Sequence, residues 1–496
     1  MTSELLRRAR EYERVRLPEI RPGLLPAFHL TGGVGWINDP NGFSVYRGEY
    51  HLFFQYYPFG TYWSSMHWGH AKTKDFIRWE RLPCAMAPDE PYDGYGCFSG
   101  SAVELDDGRQ LLMYTAVRKE RREDGSEDEF QTQCLAFGDG TDYEKYAGNP
   151  VISAGELPAG GSARDFRDPK IWREDGRYYA VVGNRCPDGT GAILLYESEN
   201  ALRWQYRGIL AASADRRGRM WECPDFFALD GLHVLLTSPQ EMRADEPEFI
   251  QGNTTLCLIG PYDRERVRLE TEHEQTIDYG LDFYAPQTLL APDGRRIMIA
   301  WMQFWDSVNW HPPELPFFGQ MTLPRELRVR NGRLYQMPVR ELETYRSAKK
   351  EYRSLILSGE TELEGVRGRC VDMIVLIRPE TEDGLDTFSI HVAAGGSFDT
   401  EIRYSPIRHT ILVDRSRSGF PPHIRSTREF PVSAEDGTVA LRVILDRWSM
   451  ELFVNHGERA ASFTLYTPQE ADGIRFRARG TARIDVEKYD LEIEHE

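Results

Sequence analysis

The sequence predicts an all-β chain, a ring of five sheets (a β-propeller) followed by a β-sandwich. Three regularities point to it. Five short apolar runs recur through the first two-thirds of the 496 residues: Tyr50–Tyr56, Leu111–Thr115, Tyr178–Gly183, Leu232–Thr237 and Ile297–Trp301. Each follows a turn signal containing Gly and has the length of a buried strand. After three of them comes a polar segment with an aromatic anchor, at Asp75–Trp79, Asp142–Tyr146 and Asn200–Trp204. Finally, polar residues keep phase with the runs. Asp39 precedes Tyr50, Ser99 precedes Leu111, Asp168 precedes Tyr178 and Glu222 precedes Leu232 by nearly equal gaps, and Asp282 precedes Ile297 by a somewhat longer one.

The intervals between the run starts, Tyr50, Leu111, Tyr178, Leu232 and Ile297, are similar to one another. A four-stranded blade needs about 40–45 residues, and longer loops fill the excess. A propeller turns its innermost strands toward one channel, and in-phase residues distant in sequence then converge there. Residues 1–27 read as a helical extension, with Leu5, Leu6 and Ala9 on one side of a short amphipathic helix. Residues 28–337 make the ring, and 338–350 a linker with a short helix at Val339–Tyr345. Residues 351–496 hold strand-length apolar stretches such as Thr438–Leu445, Glu451–Asn455 and Ala460–Leu465, which suits a β-sandwich.

A net charge of -18 argues against nucleic acid or an anionic membrane as partner, and no run is long and apolar enough to span a bilayer. The segment Met1–Ile20 lacks an apolar run of secretory length, and the seven cysteines are odd in number with no C-x-x-C. Reduced thiols in the cytoplasm are the expectation.

Three acids sit in tight contexts beside an aromatic and a Pro: Asp39 in Trp36-Ile37-Asn38-Asp39-Pro40-Asn41-Gly42, Asp168 in Phe166-Arg167-Asp168-Pro169, and Glu222 in Trp221-Glu222-Cys223-Pro224-Asp225. Such backbones can aim a carboxylate for acid/base or nucleophilic work. The residues alone leave other readings open. Asp39 can serve only its own turn, Asp168 can form a structural pair with Arg167, and Glu222 can be a buried hydrogen-bonded acid. Asp39-x-Asn41 starts like a calcium loop, but position 12 is Tyr50 rather than Glu. His67 and His70, three apart on a strand, face opposite sides, so no metal is expected. Gly33-Val34-Gly35 lacks the third Gly of a dinucleotide loop. The mixed charges from Glu120 to Glu129 read as a solvated loop.

Six segments, in order, carry a resemblance to glycoside hydrolase family 32, the invertases, sucrose-6-phosphate hydrolases and exo-acting fructanases. They are Trp36–Gly42, Phe98-Ser99-Gly100-Ser101-Ala102-Val103, Phe166–Lys170, Glu222–Asp225, Asp282-Phe283-Tyr284-Ala285-Pro286-Gln287 and Leu323-Pro324-Arg325-Glu326-Leu327. The sandwich matches more weakly, through Leu445-Asp446-Arg447 and Glu451–Asn455. The resemblance implies a five-bladed β-propeller followed by a β-sandwich. It also implies Asp39 as nucleophile, Glu222 as general acid/base and Asp168 as transition-state stabiliser. By the same match, Asn38, Gln55, Trp63, Ser99, Arg167, Asp282 and Trp301 bind fructose, and no cofactor is needed. Two departures are Ile37, where the family often has Met, and Tyr57, where Asn is common and which is expected to alter the wall of the site.

The chemistry so implied is retaining hydrolysis of terminal β-D-fructofuranosyl units from sucrose or a related small fructoside. Glu222 is expected to be protonated by its apolar neighbours, and Arg167 to keep Asp168 ionised if their side chains meet. Transfer of fructosyl to a sugar, or hydrolysis of sucrose 6-phosphate, are the alternatives; a carbohydrate-binding protein with a dead site is disfavoured by the three intact acids.

Overall fold

In each blade, the apolar run forms the second strand, buried between its own sheet neighbours and the sheets above and below. The computed structural model describes residues 3–213, 217–307, 310–381 and 384–493. The five runs fall in strands Glu49–Tyr57, Gln110–Arg121, Arg177–Arg185, Leu232–Gln240 and Arg296–Trp301. Each pairs antiparallel with an innermost strand: Gly35–Tyr46, Gly96–Glu104, Phe166–Glu174, Met220–Leu229 and Tyr284–Leu290. Four sheets are four-stranded, and the first gains a fifth strand, Phe317–Phe318, parallel to Gly35–Trp36. The architecture is a five-bladed β-propeller, as the run spacing and the resemblance predict, followed by the expected β-sandwich.

All five inner strand pairs share one irregularity. The register shifts between Ile37 and Pro40, Phe98 and Gly100, Arg167 and Lys170, Glu222 and Asp225, and Tyr284 and Gln287. A bulge re-aims a side chain and increases local twist. In blades III to V it carries a non-glycine residue at positive φ: Asp168 at 66°, Cys223 at 48° and Ala285 at 52°. Such backbones cost about 1–3 kcal/mol each and persist only where the surroundings hold them.

The N-terminal helix, Glu4–Arg16, is capped by Ser3 and buries Leu6, Ala9 and Glu13, whereas Leu5 is exposed. It covers the outer edge strand of blade I, Glu80–Met86. Glu13 accepts from the Cys84 amide at 2.9 Å, and Arg10 donates to the Cys84 carbonyl at 2.9 Å. An edge that would otherwise be open to pairing is thereby occupied. Burial pushes the Glu13 carboxyl up to about 7.

The segment expected as linker is shorter than predicted. A 3-10 turn at Arg340–Tyr345 leads straight into strand Arg346–Thr361, which pairs with Gly473–Leu491. That last strand joins Leu385–Gly395 through its first half and Val371–Pro379 through its second, so it runs across both layers of the sandwich. Alternate residues such as Val371, Met373, Val375 and Ile377 point into the core, the period-2 pattern of a one-sided sheet.

The sandwich docks on the propeller through buried charges. Arg325 bonds Asp278 at 2.8 Å and Glu451 at 2.5 Å, and His29 lies between Asp446 at 2.8 Å and Glu451 at 2.9 Å. Gly280 permits the close approach, because a Cβ there would collide with the Ser462 backbone. Among the described residues no helix is long and apolar enough to cross a membrane.

Candidate active site

A cavity of about 310 Å³ opens at one end of the propeller channel. Asp39, Asp168 and Glu222 all line it, each delivered by the bulged start of its innermost strand. Cys223 joins them. Its thiol lies 3.5 Å from both Asp39 Oδ2 and Asp168 Oδ2, and its amide donates to Asp168 Oδ2 at 2.9 Å.

Each acid has its own environment. Asp39 accepts from Ser99 Oγ at 2.5 Å and from Asn38 Nδ2 at 3.0 Å; Asn38 is itself held by Trp36 Nε1 at 2.7 Å. Burial pushes the Asp39 carboxyl up, the Ser99 bond opposes this, and the Glu222 charge adds to it. Asp168 is pushed up to about 7, first by burial and then by the charges of Glu222 and Asp39, against the opposing pull of Arg167. Glu222 Oε1 accepts from Arg167 Nε at 3.0 Å and Nη2 at 2.9 Å, and its Oε2 accepts from Tyr284 Oη at 2.6 Å.

Two expectations about pairing are corrected here. Arg167 hydrogen-bonds Glu222 rather than Asp168, and acts on Asp168 only through its charge. Glu222 consequently faces a guanidinium and a phenol rather than apolar neighbours; the Trp221 ring is buried in the core between blades III and IV.

Of the residues expected to bind fructose, Asn38, Gln55, Trp63, Ser99 and Arg167 line the cavity. Gln55 is oriented by the Cys97 carbonyl at 2.9 Å. Asp282 does not reach it. Its carboxylate is fully buried at the sandwich interface, where it accepts from Arg415, from the Thr464 amide at 2.7 Å and from Thr464 Oγ1 at 2.9 Å. Trp301 is likewise absent from the lining: it is fully buried beneath the site, packed on Trp36 and Trp305. Tyr57 also stays off the wall, its ring lying against Phe59 and Tyr62.

Neighbours of these residues stand nearer the acids. Tyr284, two residues past Asp282 in the same motif, contacts Glu222, and Trp305, which no motif marks, lines the cavity in place of Trp301. Phe98, Glu129, Gln131, Arg164, Asp165 and Gln240 complete the wall. Glu129 belongs to a long hairpin, Gln110–Arg121 with Glu127–Gly138, and not to the solvated loop expected there. His67 and His70 bond Ser65 O and His51. Among the described residues no group of three or more His, Cys, Asp or Glu is placed to hold a metal ion.

Comparison with known proteins agrees with this geometry. The family model described as glycosyl hydrolases family 32 N-terminal domain matches residues 29–338, and the family 32 C-terminal model matches residues 341–493. The chain is 35% identical over 463 residues to a sucrose-6-phosphate hydrolase of Escherichia coli, covering 92% of each protein. It is 37% identical over 445 residues to a raffinose invertase of Escherichia coli, covering 89% of each. Among solved structures, a Bombyx mori GH32 beta-fructofuranosidase superposes with a TM-score of 0.83 at 31% identity, over 98% of both chains. A mutant of that protein has been solved in complex with sucrose.

Proposed function

The chain belongs to glycosyl hydrolase family 32, and from that premise we propose that it is a retaining β-fructofuranosidase acting on sucrose or a related small fructoside. The observation that carries the reading is the convergence of Asp39, Asp168 and Glu222 on one cavity of about 310 Å³. The terminal fructofuranosyl ring occupies this cavity. Glu222 protonates the bridging oxygen while an Asp39 oxygen attacks C2, so the C2–O bond to the leaving sugar breaks as the C2–Asp39 ester forms. Glu222 then takes a proton from water, whose oxygen attacks C2 and frees Asp39. Asn38 and Ser99 hold the Asp39 carboxylate in one orientation. Asp168 binds ring hydroxyls, and these bonds strengthen as positive charge develops on the sugar.

The partner is a small sugar, with neither nucleic acid nor membrane involved. All seven cysteines are free. This suits a reducing compartment, and we assign the enzyme to the cytoplasm. The reading is tested by replacing the proton donor. Glu222→Gln should spare fructosides with good leaving groups far more than sucrose, and equal losses on both would remove Glu222 from that role.

One observation favours a second reading, hydrolysis of sucrose 6-phosphate. Arg164 lines the cavity and makes no hydrogen bond or ion pair among the described residues. A free guanidinium at the mouth matches a phosphate on the leaving glucose. If so, kcat/KM should favour the 6-phosphate, and Arg164→Ala should abolish the preference while leaving sucrose turnover in place.

A further inference from the structure

The motifs that carry the acids extend beyond them, and the residues just past each acid form a second layer. Asn41, Ser101 and Lys170 lie two residues after Asp39, Ser99 and Asp168; Asp225 and Gln287 lie three after Glu222 and Tyr284. All five are buried, with at most 8% exposure.

Their hydrogen bonds close a ring around the channel. From blade I to II, Asn41 Oδ1 accepts from the Gly100 amide at 3.2 Å. From II to III, Ser101 Oγ donates to Pro169 O at 2.6 Å and accepts from the Ile171 amide at 2.8 Å. From III to IV, Lys170 Nζ meets Asp225 Oδ2 at 3.0 Å. From IV to V, the same Asp225 oxygen accepts from the Thr288 amide at 2.6 Å, while Lys170 donates to Thr288 O at 2.6 Å. From V back to I, Gln287 Oε1 accepts from the Phe43 amide at 2.9 Å, and its Nε2 crosses to Gly100 O at 2.9 Å. Gly100 must be glycine for this, since a Cβ would collide with the Met113 carbonyl.

Below the ring the channel widens again into a cavity of about 520 Å³, lined by Lys170, Asp225 and Thr288 among others. The ring is thus the floor of the active site and the partition between two open spaces. Its ion pair joins the strands that deliver Asp168 and Glu222. Both acids stand on bulges held by their surroundings, with Asp168 and Cys223 at positive φ, and Ser101 of the ring bonds the Pro169 carbonyl and the Ile171 amide just past Asp168.

Resting on the fructosidase reading above, we propose that Lys170 and Asp225 are positioning residues for the reaction, the ion pair that sets Asp168 and Glu222 at their working separation. The groups never touch substrate. They act by fixing two strands against each other, and a displacement of about 1 Å at reacting groups can cost on the order of 100-fold in rate.

The test replaces the pair by a neutral one of similar shape, Lys170→Met with Asp225→Asn, so that no unpaired charge is left buried. With the wild type established as active on sucrose, kcat should fall about tenfold or more while KM changes less than about twofold. At least one limb of the pH–rate profile should move, because the two acids no longer sense each other at the same distance. A control, Arg442→Met, breaks a comparable buried pair with Asp372 in the sandwich, bonded at 2.7 Å. It should lower the melting temperature and leave kcat and both limbs where they are. If the double variant is folded and its kcat and pH profile equal those of the wild type, the proposal is overturned. If it fails to fold, Ser101→Ala, which removes one hydroxyl of the ring, decides: a folded protein with reduced kcat at unchanged KM supports the proposal, and unchanged kcat rejects it. An inactive wild type would instead remove the fructosidase reading.

Discussion

Tyr284 donates its phenolic proton to Glu222 Oε2 at 2.6 Å, while Arg167 holds the other oxygen of the same carboxylate. The Glu222 carboxylate is therefore clamped from two sides, by blade V and by blade III. Burial and the Glu222 charge push the Tyr284 hydroxyl well above its ordinary value, so it remains a donor throughout the working pH range.

Tyr284→Phe removes one charge-assisted bond, worth about 1.5–3 kcal/mol. Steady-state kinetics on sucrose should show kcat reduced roughly 10- to 100-fold with little change in KM. Retention of full kcat would mean that Arg167 alone orients Glu222.

Ser99→Ala acts on the other carboxylate. Asp39 must be ionised to attack, and the Ser99 hydroxyl, 2.5 Å away, favours the ionised form against burial. Without it the Asp39 carboxyl rises further, and the acid limb of kcat/KM should shift to higher pH. A limb that stays in place, or moves to lower pH, contradicts this assignment.

His29 makes the propeller–sandwich interface pH-sensitive. Burial disfavours its charge, but hydrogen bonds to Asp446 and Glu451 outweigh this and raise it from 6.5 to about 9. The unfolded chain loses this proton near 6.5 and the folded chain only near 9, so the stabilisation is complete below pH 6.5 and is lost as pH rises through 9. Thermal melts should show wild-type stability falling across that window. His29→Gln should be less stable at pH 6 and lose most of the slope up to pH 9, the part that remains near pH 7 belonging to Glu13 and Asp168; a full wild-type slope retained in the variant would assign the loss to another group.

Arg325 is the cation that Asp278 and Glu451 share, with no exposed side-chain surface on any of the three. Arg325→Ala leaves buried Asp278 without its cation and Glu451 with His29 alone, and should cost about 3–5 kcal/mol. For the same reason a truncation near Pro338, which removes Glu451 and leaves Arg325 behind, should not give a stable propeller. Equal urea midpoints for Arg325→Ala and wild type would show that the interface charges contribute nothing.

The propeller was legible in the sequence because its second strands are buried on both faces and so read as uninterrupted apolar runs at similar intervals. The three acids were legible because each sits in a short local motif whose Pro and aromatic neighbours mark a bulge. Asp282 lies in the right motif but out of phase: the gap from Asp282 to Ile297 is longer than those from Asp39 to Tyr50, Ser99 to Leu111, Asp168 to Tyr178 and Glu222 to Leu232. The excess puts it before the strand, where it turns to Arg415. Tyr284, nearer to Ile297, fits the phase better and touches Glu222. Trp305 and the partner of Arg167 could not be read, since both depend on how separate blades face each other. The charged interface was equally hidden: Arg325, Asp446 and Glu451 all lie within matched motifs, yet only the docking of strands far apart in sequence reveals what they hold.

In the proposed mechanism Asp39 attacks C2 and Glu222 serves both half-reactions. Proton NMR of the first fructose released from sucrose, recorded before mutarotation, distinguishes this route from a single displacement. Two displacements at C2 predict the β-anomer as initial product; an initial α-anomer would mean a single displacement by water and would contradict the nucleophilic role of Asp39.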